Sequence, residues 1–222
     1  MHRAESAIAG LALAVLAYGL AMVLLLPAPF TRALSARESQ LPPEQSAVLA
    51  EEARRFVVSG DVEARRALSE VMTPDAVTHL DDVRRVIAAG VWATALLFVS
   101  SLVWAVLRYR AGHGPRIARA LGIGAVVSAG SVVLVGLFAL LDFDTFFAGF
   151  HALFFEPGTW QFPSDSVLIR LFPERFWVVA AASWAALIAA VAGLYALAAM
   201  AVRAISAASP SADGARAKHE NA

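Results

Sequence analysis

The stretch "IAAGVWATALLFVSSLVWAVL", from Ile87 to Leu107, contains no charged residue over its whole length. About 20 apolar residues in a helix are enough to cross the roughly 30 Å of hydrocarbon in a bilayer. Inside lipid the backbone polar groups must be satisfied within the segment, so a helix is the expected conformation. This stretch therefore predicts a transmembrane helix, and the fold depends on how many similar stretches surround it.

Three further blocks also lack charge and are long enough to span the bilayer, namely Ala7–Leu26, Ala120–Leu141 and Phe176–Val202. The chain of 222 residues is 59% hydrophobic, with a mean hydropathy of +0.65, whereas soluble domains are only about half apolar. A cleaved signal peptide is the alternative for the first block, but its apolar core exceeds the roughly 7–15 residues of such peptides. We therefore expect an uncleaved anchor and an all-α membrane protein with four transmembrane helices.

The charges between the blocks predict the topology. The linker Arg108–Arg119 has four arginines and no acidic residue, whereas Asp142–Arg175 has two arginines beside five acidic residues. Since cytoplasmic loops are enriched in Lys and Arg, we expect this linker and both termini to lie in the cytoplasm. Segments 28–86 and 142–175 should then lie outside.

Segment 28–86 is patterned as a small helical cap. "LPPEQSAVLAEEARRFVVSG" has prolines at its start and Gly60 at its end, both typical helix boundaries, and "VEARRALSEVM" follows as a short second helix. Thr73 and Pro74 then form an N-cap and first-turn pair. Nothing interrupts the helix from Pro74 into the second apolar block, which places His79 about 12 Å outward of Ile87 at 1.5 Å per residue.

These observations predict a linear organisation of membrane helices and connecting segments. The segments are a cytoplasmic N-terminus (1–6), TM1 (7–27), the extracytoplasmic helical segment (28–86), TM2 (87–107), the cytoplasmic linker (108–119), TM3 (120–141), an extracytoplasmic aromatic loop or helix (142–175), TM4 (176–202) and a disordered cytoplasmic tail (203–222).

The chain lacks cysteine, which excludes disulfides, thiolate nucleophiles and Cys-ligated metals. It also lacks the nucleophile-elbow, HExxH, P-loop and dinucleotide motifs, and it has no basic face for nucleic acid.

The candidate catalytic residues of the chain are two histidines on the outer side. His79 shares a helix face with Asp82, as a base and its orienting acid would. A surface ion pair at the membrane edge is the alternative.

His151 lies on a helical stripe with Asp144, Phe147 and Phe154. The aromatic side chains could simply form an interfacial belt, with the histidine bonded to a backbone carbonyl. Because both histidines are expected at the same depth on different segments, we expect their rings to meet.

The motifs "HLDDV" (His79–Val83) and "FDTFFAGFHALFF" (Phe143–Phe155) are followed by Trp160, Asp165, "LI" at 168–169 and "FP" at 172–173. This pattern resembles a family of four-helix bacterial integral membrane proteins, the lipoprotein intramolecular transacylases (Lit). The resemblance extends from the first apolar block to the fourth.

The resemblance implies acyl migration on a diacylglyceryl-modified lipoprotein, with membrane lipid as the other partner. The sn-2 acyl chain moves from the glycerol oxygen to the amine of the N-terminal cysteine and leaves a lyso-form. The active site would lie at the outer leaflet of the bacterial cytoplasmic (inner) membrane. The catalytic residues would be His79, His151 and Asp82, with no cofactor or metal. Supporting or substrate-binding residues would be Asp144, Phe147, Phe150, Phe154, Trp160 and Asp165.

Histidine can accept and return a proton near neutral pH. We expect His79 to act as the base, oriented by Asp82, and His151 to act as the acid or oxyanion donor, although the reverse order stays open. Two other functions also remain open: a noncatalytic membrane scaffold that binds a partner, and a metal-dependent membrane hydrolase that uses both histidines and a carboxylate.

Overall fold

The computed structural model describes residues 2–208, and most of this range is helical. Four of its helices are long and apolar enough to cross a membrane, namely Arg3–Leu25, Pro74–Arg110, Gly114–Leu141 and Glu174–Ala208. Three shorter helices lie between the first two of these. The predicted fold class, an all-α membrane protein with four transmembrane helices and a helical cap, is confirmed. The bounds are α1 His2–Leu25, α2 Ala28–Glu38, α3 Pro43–Ser59, α4 Val62–Ser69, α5 Pro74–Arg110, α6 Gly114–Leu141, α7 Phe143–Phe154, α8 Val167–Leu171 and α9 Glu174–Ala208.

Helix α6 is the centre of the membrane half and packs against α9 and α1. The α1–α6 crossing is close, since a Cβ atom added to Gly10 would lie 2.6 Å from the Cβ of Ile123. The hydroxyl of Tyr18 donates to Ser131 (2.7 Å), and the indole of Trp184 donates to the carbonyl of Tyr18 (3.0 Å). Helix α5 packs mainly against α1, and most of its apolar surface faces outward.

The cap is built around a core shared by α3, α4, α8 and the outer end of α5. Helix α3 ends at Gly60, whose φ of 69° is the left-handed conformation that glycine adopts readily. Thr73 accepts a hydrogen bond from the backbone N–H of Ala76 and so caps α5. Burial of the apolar faces stabilises this unit; the core includes Leu49, Phe56, Leu68, Val77, Leu80, Leu168 and Leu171.

The prediction that the tail 203–222 is disordered is wrong for residues 203–208. Helix α9 continues to Ala208, because the segment "RAISAA" contains neither proline nor glycine to end it. The remainder of the tail, 209–222, lies outside the described residues. Helices α2 and α8 are additional elements that the sequence patterns did not separate from their surroundings.

Candidate active site

Helix α5 carries His79 at the junction between the cap and the membrane half. Two neighbouring side chains, Val77 and Leu80, are buried in the cap core, and this fixes the rotation of the helix about its axis. The same packing turns His79 inward, where only 7% of its surface stays exposed. The helix then continues without a break to Arg110.

Helix α7 carries His151 on the other side of the site. Asp142 caps this helix by accepting from the backbone N–H of Thr145 (3.0 Å). His151 is the buried residue of α7, with 8% exposure. Its ring centroid lies 6.2 Å from that of His79, with 24° between the ring planes. The structure therefore brings together two histidines from distant parts of the chain.

Aromatic side chains enclose the two imidazoles. Phe147 and Trp160 lie beside His151, with centroid distances of 4.1 and 4.6 Å. Phe162 lies 5.6 Å from His79. Phe155 contacts both rings, at 4.8 Å from His79 and 5.5 Å from His151. The histidine pair thus lies in a largely apolar enclosure.

The hydrogen bond of His151 determines its tautomer. Its Nδ1 lies 2.8 Å from the carbonyl oxygen of Phe147. A carbonyl can only accept, so Nδ1 carries the hydrogen and Nε2 of the neutral ring keeps a free lone pair. Burial lowers the pKa of His151 below its ordinary value, although the bond to Phe147 opposes this shift. The ring is therefore mainly neutral at pH 7.

His79 has no comparable anchor. Within residues 2–208, its buried Nδ1 has no hydrogen-bond partner. The bond expected from Asp82 is not formed, because that carboxylate accepts instead from the guanidinium of Arg85 one turn further along (2.7 Å). A charged partner at i+3 competes well against a neutral imidazole. Asp82 is thus only three residues from His79 in sequence, but in the structure it does not orient the His79 ring.

Of the remaining predicted site residues, only some lie beside the histidine pair. Phe150 lies at the edge of His151, with a centroid distance of 5.7 Å. Phe154 is 48% exposed and packs against Phe150. Asp144 and Asp165 are exposed, and within the described range neither bonds to a histidine.

Two enclosing residues, Phe155 and Phe162, were not selected from the sequence. Phe155 follows the last helical residue of α7 and has extended backbone angles, so the helical stripe does not include it. Phe162 lies in the loop before α8, where no periodicity marks it.

No group of three or more His, Asp or Glu side chains that could hold a metal ion occurs in the described part of the chain.

Comparisons with solved structures show the same fold in another protein. The membrane-integral lipoprotein intramolecular transacylase Lit from Bacillus cereus matches with a TM-score of 0.80 at 14% identity, over 94% of this chain and 99% of that one. A histidine-to-alanine variant of that protein matches with a TM-score of 0.75 at 12% identity, over 94% and 96% of the two chains. With the four apolar helices, this fold is that of a multi-pass membrane protein.

Sequence comparison gives a curated relative that matches part of the chain, and a family. An uncharacterized protein of Aquifex aeolicus (strain VF5) is 23% identical over 108 residues, which are 47% of this chain and 45% of that protein. The chain thus spans less than half the length of this curated relative. The family model described as "Lipoprotein intramolecular transacylase Lit" matches residues 51–177. This segment is more than half of the chain and contains both histidines, so the chain belongs to the Lit family, as the resemblance of its motifs predicts.

Proposed function

We propose that this protein catalyses intramolecular O-to-N acyl transfer on bacterial lipoproteins. The substrate is a lipoprotein whose N-terminal cysteine carries a diacylglyceryl group, and the product is the N-acylated lyso-form. The observation that carries the proposal is the pair of buried histidine rings, 6.2 Å apart, on α5 and α7. Membership of the Lit family supports the reaction and its substrate class.

The reaction needs one proton to move between two atoms of the same substrate. The cysteine nitrogen attacks the carbonyl carbon of the sn-2 ester, and a base removes the proton that the nitrogen gives up. The tetrahedral intermediate then collapses, the bond between the acyl carbon and the glycerol oxygen breaks, and this oxygen takes the proton. One N–acyl bond replaces one O–acyl bond, so no second substrate is consumed.

The tautomer of His151 supports its Nε2 as the atom that carries this proton. The Phe147 carbonyl holds Nδ1 as the donor, which leaves the Nε2 lone pair to accept the proton from the amine and return it to the glycerol oxygen. His79 then serves as an N–H donor to the oxyanion of the tetrahedral intermediate. This assignment reverses the order of roles expected from the sequence.

The aromatic enclosure suits a reaction that competes with water. Water in the site would hydrolyse the ester and release a fatty acid. Four rings, Phe147, Phe155, Trp160 and Phe162, surround the imidazoles and restrict water access. Holding the amine beside the ester in a fixed geometry can lower the barrier by up to roughly 7–11 kcal/mol. Positioning and exclusion of water are therefore the main tasks of the protein.

The orientation that fits this function places both termini in the cytoplasm and the histidine pair at the outer leaflet of the cytoplasmic (inner) membrane. The arginine-rich 108–119 linker supports it. Lipoproteins that have received their diacylglyceryl group can reach such a site by diffusing in that leaflet.

Mass spectrometry of lipoproteins from a host without other N-acylation tests the proposal. Expression of this protein should convert the diacylglyceryl form into an N-acyl lyso-form of the same total mass, distinguished by fragmentation. Loss of one acyl mass would indicate a hydrolase instead. An unchanged lipoprotein pool would favour a scaffold. Either result would overturn the transacylase assignment.

A further inference from the structure

A groove of about 400 Å³ opens beside the histidine pair, between the outer part of α5 and the end of α7. One wall is formed by Asp82, Arg85 and Val86, and the other by 152–157. The groove is adjacent to the candidate active site because Phe155 belongs to both. A molecule in the groove would therefore lie one side chain away from the imidazoles.

The charges in the groove do not balance. Asp82 and Arg85 neutralise each other through their 2.7 Å ion pair. On the opposite wall, the carboxylate of Glu156 has no ion-pair partner among residues 2–208. Its backbone is held in place, since its carbonyl accepts from the hydroxyl and the N–H of Thr159 (2.8 and 3.2 Å). The groove thus presents one uncompensated negative charge on a fixed turn.

Resting on the proposed function, we infer that Glu156 binds the α-ammonium of the substrate's N-terminal cysteine and that the groove accepts the first residues of its polypeptide. An α-amino group has a pKa of about 8 and is mainly protonated at pH 7. Every diacylglyceryl substrate carries this cation, whereas the residues that follow differ between lipoproteins. An acid at the groove wall therefore recognises the feature that all substrates share.

The same contact distinguishes substrate from product. The bound ammonium first gives one proton to solvent, and the neutral nitrogen then attacks and becomes an amide, which removes the partner of Glu156. The lyso-form consequently lacks the ion pair that held the unreacted lipoprotein, and this favours its release. Binding at this groove is selective for the unreacted lipoprotein.

Competitor binding tests the inference without requiring turnover. Two diacylglyceryl peptides with a nontransferable ether at sn-2 are compared, one with a free α-amine and one N-acetylated. The full-length wild type in detergent should bind the free amine about three- to fivefold more tightly, as expected for a partly exposed ion pair. Glu156→Gln should abolish this preference, and Glu156→Asp should retain part of it. Glu63→Gln, a matched change at an exposed acid on α4, should leave it intact.

Kinetics separate this inference from the proposed function. With transferable substrate, Glu156→Gln should raise KM about three- to fivefold without lowering kcat, because the ion pair holds the ammonium before the chemical step. A wild type that prefers the free amine but transfers no acyl chain would refute the transacylase assignment alone. Normal transfer without any amine preference, or a preference that persists in Glu156→Gln, would refute the role of Glu156.

Discussion

His79 and His151 are equally buried but differently held. The ring of His151 is fixed by its bond to the carbonyl of Phe147 and by contacts with Phe147 and Trp160. Nδ1 of His79 is buried without a partner in the described part of the chain, so His79 contacts aromatic rings without a fixed polar anchor. The fixed tautomer of His151 suits a base. The His79 ring, which has no fixed polar partner, can turn to donate a hydrogen bond to the reacting oxygen.

Glutamine substitutions should separate the two roles. Glutamine can donate a hydrogen bond but cannot act as a base. We expect His151→Gln to lower kcat by about 10²–10⁴-fold, as loss of a proton-transfer group does. His79→Gln should lose less activity than His79→Ala, which should cost about 10²–10³-fold. Single-turnover measurements on purified variants check this, and equal losses in both glutamine variants would contradict the assignment.

The lowered pKa of His151 should be visible in a titration of its ring. The substrate amine loses its own proton near pH 8 and would add an acid limb to the activity, so the ring is followed directly by NMR in the free protein, where its midpoint should lie below 6.5. The unfolded chain binds this proton near 6.5. Hence the contribution of His151 to stability is complete above 6.5 and is lost as pH falls through the lowered value. A wild-type midpoint above 6.5 would exclude a buried neutral base.

Both histidines and Phe147 could be found from sequence because helical spacing places them on definable faces. Phe155 could not, because α7 ends one residue earlier and its chain direction changes there. Spacing alone could not predict the partner of Asp82 either, because His79 and Arg85 are both three residues away from it. The charge of arginine decides between them.

At the scale of elements, boundaries with a local chemical cause were predictable. Gly60 ends α3 in a left-handed conformation, and Thr73 with Pro74 starts α5. Helix α2 has no side-chain cap hydrogen bond at its N-terminus. Its burial comes from contacts with α3, which follows it directly in the chain, and with α9, whose distance in sequence makes that contact invisible to local patterns.

The α1–α6 crossing predicts a matched pair of glycine substitutions. Gly10→Ala should destabilise the protein by about 1–3 kcal/mol, because the added Cβ meets the branched Cβ of Ile123 and the backbone of Ala120. Gly130→Ala has open space and should be neutral or gain up to about 1 kcal/mol from helix propensity. Thermal unfolding in detergent measures both. Equal stability of the two variants would show that α1 and α6 are not closely packed.

At the scale of the whole molecule, we expect both termini on the same side of the membrane, because the number of apolar helices among the described residues is even. A phosphatase reporter that is active only outside the cytoplasm should be inactive when fused after Gly112 and active after Gly158. The first position lies in the arginine-rich linker and the second in the aromatic loop. Activity after Gly112 would invert the topology and put the histidine pair in the cytoplasm.

The unbroken course of α5 has a mechanical consequence. Its 37 residues form a rod of about 55 Å, with no hinge between the lipid-embedded part and His79. Transmembrane helices tilt to match the local hydrocarbon thickness. A tilt change of about 10° around the middle of the bilayer would displace His79 by about 5 Å at 1.5 Å per residue, close to the 6.2 Å that separates the two imidazoles. Acyl transfer in vesicles of graded lipid chain length should therefore pass through a maximum, so that membrane thickness itself sets the rate.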